Sequence, residues 1–332
     1  MSRPLVSICM AAYNVQEYVE EALDAALAQT WPNVEIVVVN DGSTDRTPEI
    51  LDAYGERSQV TVVHQENVGH SGALNRAYAE SEGELIKFFD ADDLIARDMV
   101  ERQVSRLEGS RTHIASAEWA RFYNDPSEAR FEPETVWRDM NPADWLVTAC
   151  GDARPMMQCA IFLVPRPILE SAGGWDEQLS LINDFEFFTR LLLQSEGIRF
   201  TPGARLYYRS GLSGNLSGRM DREAIESEHR SLLLGMQHLL DHESTPGTRR
   251  VAANTLQNFI HRRYPNYPDL RAEMKERVEE LGGSDLKPSG PPGFEVLRPL
   301  VGWKTARRIE GAAIRYGLNR ASIKESIPKV FA

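Results

Sequence analysis

Short apolar runs alternate with amphipathic segments through the first third of the chain. Leu5–Met10, Val60–His64 and Leu85–Phe89 read as strands. Val34–Val39 is β-branched, too short for a helix and apolar on both faces, which predicts a central parallel strand. Between these runs the period changes. In Gln16–Ala28, the residues Val19, Ala22, Leu23, Ala26 and Leu27 recur at helical spacing, with Asn14 as the expected N-cap and Glu17 in the capping-box position. Pro48–Tyr54, Gly72–Ala79 and Asp98–Leu107 are the other helices expected here, Pro48 being tolerated in a first turn. Strand followed by helix, repeated, predicts an α/β fold with a doubly wound, mostly parallel sheet.

Further along, Ile114–Trp119, Ala160–Val164 and Leu206–Arg209 read as strands and Asn183–Leu193 as a helix. From Asp221 the pattern is helical: Asp221–Leu240, Thr248–Arg263, Leu270–Leu281 and Val301–Tyr316. The Pro-, Gly- and Ser-rich stretch Ser284–Gly293 reads as a linker. The expected division is an α/β domain over residues 1–220 and a helical extension over 221–332.

In doubly wound sheets, ligands sit at the carboxyl ends of the strands. Two acidic turns fall there: Asn40-Asp41-Gly42-Ser43 after Val34–Val39, and Asp90-Ala91-Asp92-Asp93 after Leu85–Phe89. In an extended turn, residues i and i+2 point the same way, so Asp90 and Asp92 can face one ligand while Asp93 points elsewhere, free to cap a following helix. Carboxylates this close repel, and a divalent cation is the simplest way to stabilise them. Mg²⁺ and Mn²⁺ suit oxygen ligands, Mg²⁺ being held typically by one or two carboxylates plus substrate phosphates. Alone, Asp-x-Asp is a weak motif, and Asp41 in an Asp-Gly pair could be an ordinary turn acid.

The net charge of −12 disfavours nucleic acid as a partner. The three cysteines, Cys9, Cys150 and Cys159, form no C-x-x-C pair and read as buried free thiols. No signal-peptide pattern opens the chain, and no apolar stretch reaches the ~18–20 residues that span a bilayer. A cytoplasmic protein is expected, with one qualification. Arg298, Lys304, Arg307, Arg308, Arg315, Arg320, Lys324 and Lys329 make the last stretch basic, with Trp303, Ala306, Ile309, Ala313 and Tyr316 at helical spacing. Such a segment, 298–324, either packs with a solvated basic face or lies on an anionic membrane surface.

Several stretches, in this order, resemble the family 2 glycosyltransferases, inverting enzymes with a GT-A fold. They are Val6–Asn14; Glu35–Val39 followed by Asn40–Asp45; Asn67-Val68-Gly69 through Asn75; Gly83–Asp93; and Gly173–Glu177 followed by Asn183-Asp184. The resemblance covers roughly residues 4 to 215. It implies that Tyr13 packs against the nucleobase, Asp41 accepts a hydrogen bond from it, and Asp90 sits near ribose and metal. It further implies that Asp92 coordinates Mn²⁺ or Mg²⁺ on the diphosphate, Asp184 is the general base, and Arg209 contacts the diphosphate. The donor would be a nucleotide sugar, UDP-linked by family habit, and the acceptor a carbohydrate or lipid-linked hydroxyl in polysaccharide or glycolipid synthesis.

The chain departs from the family pattern at Ala11 (often proline), Leu74 (often arginine), Asn183 (usually glutamate) and Ser210 (often histidine). Leu74 removes a phosphate contact, and Asn183 keeps hydrogen bonding without the charge. A nucleotidyltransferase would instead carry a glycine-rich basic loop where Ala11-Ala12-Tyr13-Asn14 stands. A nucleotide-sugar-binding protein without turnover is the other alternative, and an acidic pair as intact as Asp92 and Asp184 argues against it. His70, in a glycine-rich loop, reads as a solvated side chain, with a phosphate contact as the alternative. The helices after 221 suit packing on the catalytic domain or homo-oligomer formation.

Overall fold

The computed structural model describes residues 3–151, 153, 157–212 and 219–315. Residues Met1–Thr248 cluster into one compact unit and Arg249–Ala332 into another.

The first unit is built on β1 (Val6–Ala12), α1 (Val19–Leu27), β2 (Val34–Asp41), α2 (Thr47–Gly55), β3 (Val60–Gln65), α3 (His70–Ala79) and β4 (Leu85–Asp90). These strands are parallel, in the order β3-β2-β1-β4, with β1 and β2 almost wholly buried. Burial on both faces explains why Val34–Val39 reads as continuous apolar sequence. Asn14 does not cap α1: its φ is +51° and its Oδ1 accepts from the Thr44 amide at 2.8 Å, joining the loops after β1 and β2.

A short β5 (Leu94–Ile95) and α4 (Met99–Leu107) lead to β6 (His113–Phe122) and α5 (Pro142–Ala149). The apolar run 160–164 is not a strand. Cys159–Ile161 forms a 3₁₀ turn whose Ala160 carbonyl accepts from Lys87 Nζ at 2.6 Å. The two residues of β7 (Val164–Pro165) pair, antiparallel, at the edge of β4, and Leu163 bridges to Ala115. After α6 (Arg166–Ala172) and α7 (Asn183–Leu193) comes β8 (Gly197–Arg209), far longer than its Leu206–Arg209 portion suggests. Pro202 and Gly203 hide the rest of the pattern. The strand tolerates them because the register with β6 shifts there, from Ala117 opposite Thr201 to Glu118 opposite Arg205. β5, β8 and β6 form a separate three-stranded sheet.

The first unit also takes in α8 (Arg222–His242), beyond the boundary at 220 drawn from sequence. Ser227 Oγ accepts from the amides of Ser180 and Leu181, and Ser231 Oγ donates to the Ile182 carbonyl. Gly235 lets the helices close up, since a Cβ there would meet Phe185 at 2.5 Å.

α9 (Pro246–Arg263) carries the chain into the second unit, followed by α10 (Pro268–Glu280), α11 (Pro292–Val301) and α12 (Trp303–Arg315). Leu256, Phe259, Met274, Phe294 and Ala306 are buried in it. The expected linker is a loop fastened to α9, with Asn254 bonded to both Ser284 and Asp285. Gly302, at φ +76°, separates α11 from α12. The end of the expected helix at Tyr316, and Arg320, Lys324 and Lys329, lie outside the described residues. Among the described residues no helix is long and apolar enough to cross a membrane.

Candidate active site

Pairing in the parallel sheet brings the two acidic turns to one edge. Ala11 lies opposite Val39 on one side and Asp90 on the other, and Ala12 lies opposite Asn40. Tyr13, Asp41 and Asp90 therefore leave the sheet side by side. Tyr13 is 50% exposed, a ring available at the rim rather than core.

Asp41 is buried. Its carboxylate accepts from Gln65 Nε2 at 2.8 Å, the Val68 amide at 3.0 Å and the Gly69 amide at 2.9 Å. A carboxylate has roughly four acceptor positions, so Asp41 fastens the 65–69 loop and keeps capacity for about one more donor. Gly42 completes the turn at φ +73°, where a Cβ would stand 2.8 Å from the Asn67 nitrogen.

The run Asp90–Asp93 divides. Asp93 is fully buried and caps no helix: its Oδ1 accepts from the Arg209 amide at 2.7 Å, and α4 begins after Asp98. Burial, then the charges of Asp92 and Asp90, hold its carboxyl well above the usual range. Asp90 and Asp92 remain partly accessible. Burial and the neighbouring Asp90 charge push Asp92 up to about 6.

Asp184 lies in the first turn of α7 and accepts from the Phe185 amide at 2.9 Å. Burial, then the charge of Asp90, raise its carboxyl to about 7. The acids of β4 and α7, far apart in sequence, thus share one electrostatic cluster, and His70 joins it. His70 opens α3, half-buried rather than solvated, with Nε2 3.4 Å from Asp90 Oδ1. Burial disfavours its charged form, but the contact with Asp90 and the charges of Asp90, Asp184 and Asp92 outweigh that and raise its pKa.

Arg209 is placed differently from the expectation of a diphosphate contact. Its side chain is 8% exposed, with Nε donating to the Asp92 carbonyl at 2.7 Å and Nη2 to Glu21 at 2.5 Å. The guanidinium is flanked by the rings of Tyr18 and Phe122. It braces the acidic turn from beneath.

Sequence reasoning gave no role at the site to three further groups. All three cysteines are free and buried, as expected, and burial followed by the nearby Asp90 charge holds the Cys159 thiol well above its usual range. Lys87, wholly buried on β4, holds the carbonyls of Ala160 and Phe162, and burial pulls its ammonium down to about 7. A charged residue within an apolar strand was the available signal. Asn75 joins two separate motifs: its Oδ1 accepts from the Trp175 amide at 2.8 Å and its Nδ2 donates to the Trp175 carbonyl at 3.0 Å. Gly174 is required there, because a Cβ would meet Asn75 Oδ1 at 2.6 Å.

Among the described residues no three His, Cys, Asp or Glu side chains form a ready metal cage. The Asp90 charge raises the proton affinity of Asp92, and Arg209 bonds the Asp92 carbonyl rather than its carboxylate. Two under-compensated carboxylates at an accessible edge fit a Mg²⁺ or Mn²⁺ ion that takes its remaining ligands from substrate phosphates and water.

Residues 7–165 match the family model Glycosyl transferase family 2. The chain is 38% identical over 214 residues to the uncharacterized glycosyltransferase EpsJ of Bacillus subtilis, covering 62% of this chain and 61% of that protein. It is 35% identical over 127 residues to the glycosyltransferase GlyA of Streptococcus pneumoniae, covering 38% of this chain and 18% of that one. The chain thus spans less than two thirds of either relative's length. The crystal structure of S. aureus TarS 1–349 with UDP-GlcNAc superimposes with a TM-score of 0.68 at 18% identity, over 94% of this chain and 92% of that one. The fold is therefore the GT-A type of that structure, with C-terminal helices, and residues 7–165 carry the similarity to the family 2 glycosyltransferases.

Proposed function

We propose that the chain transfers a sugar from a nucleoside-diphosphate sugar, UDP-linked, to a hydroxyl acceptor with inversion at the anomeric carbon. The observation that carries this reading is the shared cluster of Asp184, Asp90 and Asp92 at the carboxyl edge of the sheet, with Asp184 held near neutrality at about 7. A general base works best with a pKa near the operating pH. The UDP-GlcNAc bound to TarS supports a uridine donor by analogy of fold.

In this reading Asp184 takes the proton of the acceptor hydroxyl as its oxygen bonds to the anomeric carbon. The bond from that carbon to the diphosphate oxygen breaks, and the nucleoside diphosphate leaves with the electron pair. Single displacement inverts the centre, as in inverting glycosidases. Asp92 and Asp90 would hold Mn²⁺ or Mg²⁺, which supplies Lewis-acid stabilisation of the leaving diphosphate. Tyr13 lies against the nucleobase and Asp41 receives a hydrogen bond from it. Arg209 positions the metal-binding turn through the Asp92 carbonyl instead of touching phosphate. Thermal stabilisation by a panel of nucleoside diphosphates with Mn²⁺ tests the donor reading. UDP should raise Tm more than ADP or GDP, and no shift with any of them would overturn it.

The acceptor is a carbohydrate or lipid-linked hydroxyl. Peripheral attachment to an anionic membrane through the second unit suits the lipid-linked case. Val296, Leu300, Val301 and Ile309 are exposed on α11 and α12, at 66%, 76%, 43% and 43%, and Lys304 and Arg308 are exposed among them. Apolar side chains beside cations match the interfacial region of an anionic bilayer.

A further inference from the structure

A chain of hydrogen bonds with one direction runs between the N-termini of α3 and α7. Ser71 Oγ donates its only proton to the Leu179 carbonyl at 2.9 Å, so its lone pairs face Asn183. Asn183 Nδ2 donates to Ser71 Oγ at 2.9 Å and also faces His70 Nδ1 at 3.1 Å. Turning the Asn183 amide over would set its oxygen against the Ser71 lone pairs, so the NH₂ group is fixed toward both partners. His70 Nδ1 must then accept. In the neutral ring the proton then sits on Nε2, which lies 3.4 Å from Asp90 Oδ1. The ring is steadied edge-on by Trp175, with centroids 6.3 Å apart.

We propose that His70 is a positioning residue that ties the acidic turn of β4 to the base-bearing end of α7, orienting Asp90 through Nε2–H while Asn183 anchors its other nitrogen. Asn183 immediately precedes Asp184. One imidazole therefore sets the separation between the carboxylate on the donor side and the carboxylate on the acceptor side. Asn183 serves this purpose as a donor. A carboxylate at that position could only accept and would draw the ring proton to Nδ1, away from Asp90. The catalytic consequence rests on the transferase reading above; the geometry does not.

Two measurements separate these. In the ligand-free full chain, titrated until the ring is neutral, ¹⁵N NMR should find His70 protonated at Nε2, and Asn183→Asp should move the proton to Nδ1. An Nδ1–H tautomer in the parent, or none of this movement in the variant, overturns the proposal whatever the activity. The second measurement is release of UDP from UDP-GlcNAc with Mn²⁺. A Gln amide can reach the place of Nε2–H, whereas an Asn amide reaches only that of Nδ1. His70→Ala and His70→Asn should lower kcat/KM on the order of 100-fold, the scale of a misplaced reacting group, and His70→Gln should recover most of it. Equal rates in all four proteins, with circular dichroism unchanged, would overturn the positioning role. A parent that releases no UDP counts against the transferase reading and leaves the NMR result to decide on His70.

Discussion

Arg209, the last residue of β8, donates through Nε to the carbonyl oxygen of Asp92 at 2.7 Å, while its own amide donates to the Asp93 carboxylate at the same distance. The second sheet thus grips the acidic turn of the first by side chain and backbone together. Removing a buried hydrogen-bonded cation leaves the partners unsatisfied, which costs about 2 kcal/mol per charged hydrogen bond. Arg209→Met should lower stability by about that amount and lower sugar transfer more steeply than nucleotide binding, because the turn shifts while Tyr13 and Asp41 stay. Urea unfolding with UDP titration checks this. Loss of UDP binding with transfer per bound donor unchanged would return Arg209 to the diphosphate.

Asp184 gives the transfer reaction a pH dependence of known sign. Its carboxyl stands at about 7 in the ligand-free protein, and only the deprotonated form can accept a proton. kcat/KM, which reports the free enzyme, should rise about tenfold per pH unit below that value and level off above it. A profile that falls with rising pH between 6 and 8, roughly the range around a near-neutral base, would exclude Asp184 from this role.

Lys87 gives stability a different dependence. Its ammonium drops from 10.5 to about 7 on burial. Between those values the unfolded chain holds the proton and the folded one does not, so stability rises with pH across that window and gains nothing below about 7. The slope approaches about 1.4 kcal/mol per pH unit for this one group. Lys87→Met should remove that contribution from the slope, whatever it does to stability at any single pH. Urea midpoints compared across the window decide it, and identical slopes in parent and variant would refute it.

Much of the sheet was legible because burial on both faces leaves a continuous β-branched run, as at Val34–Val39, and because acids placed directly after such runs have few structural uses. The brace on Asp92 was not legible, since Arg209 meets it only through a strand pairing far along the chain. Asn14 carried a capping signal, yet its left-handed backbone and the nearby Thr44 amide offered a better partner. His70 looked solvated because its neighbours Asp90 and Asn183 arrive from other elements. The strand expected at Ala160–Val164 failed for a reason visible only in space: a buried ammonium needs acceptors, and the carbonyls of that segment supply them.

Membrane attachment makes a separate prediction. The full chain should co-sediment with vesicles containing phosphatidylglycerol and much less with pure phosphatidylcholine. Leu300→Glu and Lys304→Glu should each weaken the association, since both burial of apolar area and attraction to anionic lipid contribute. Equal recovery with both vesicle types would contradict it.

The central claim is that Asp92 and Asp184 work together on a nucleotide sugar. Nucleoside diphosphate released from UDP-GlcNAc and related donors with Mn²⁺ should be measured for the parent, Asp92→Asn and Asp184→Asn, with folding checked by circular dichroism. Release by the parent is expected, with a loss on the order of 100-fold or more in each variant, the scale of removing acid–base or electrostatic help. Release at the parental rate by either folded variant would contradict it.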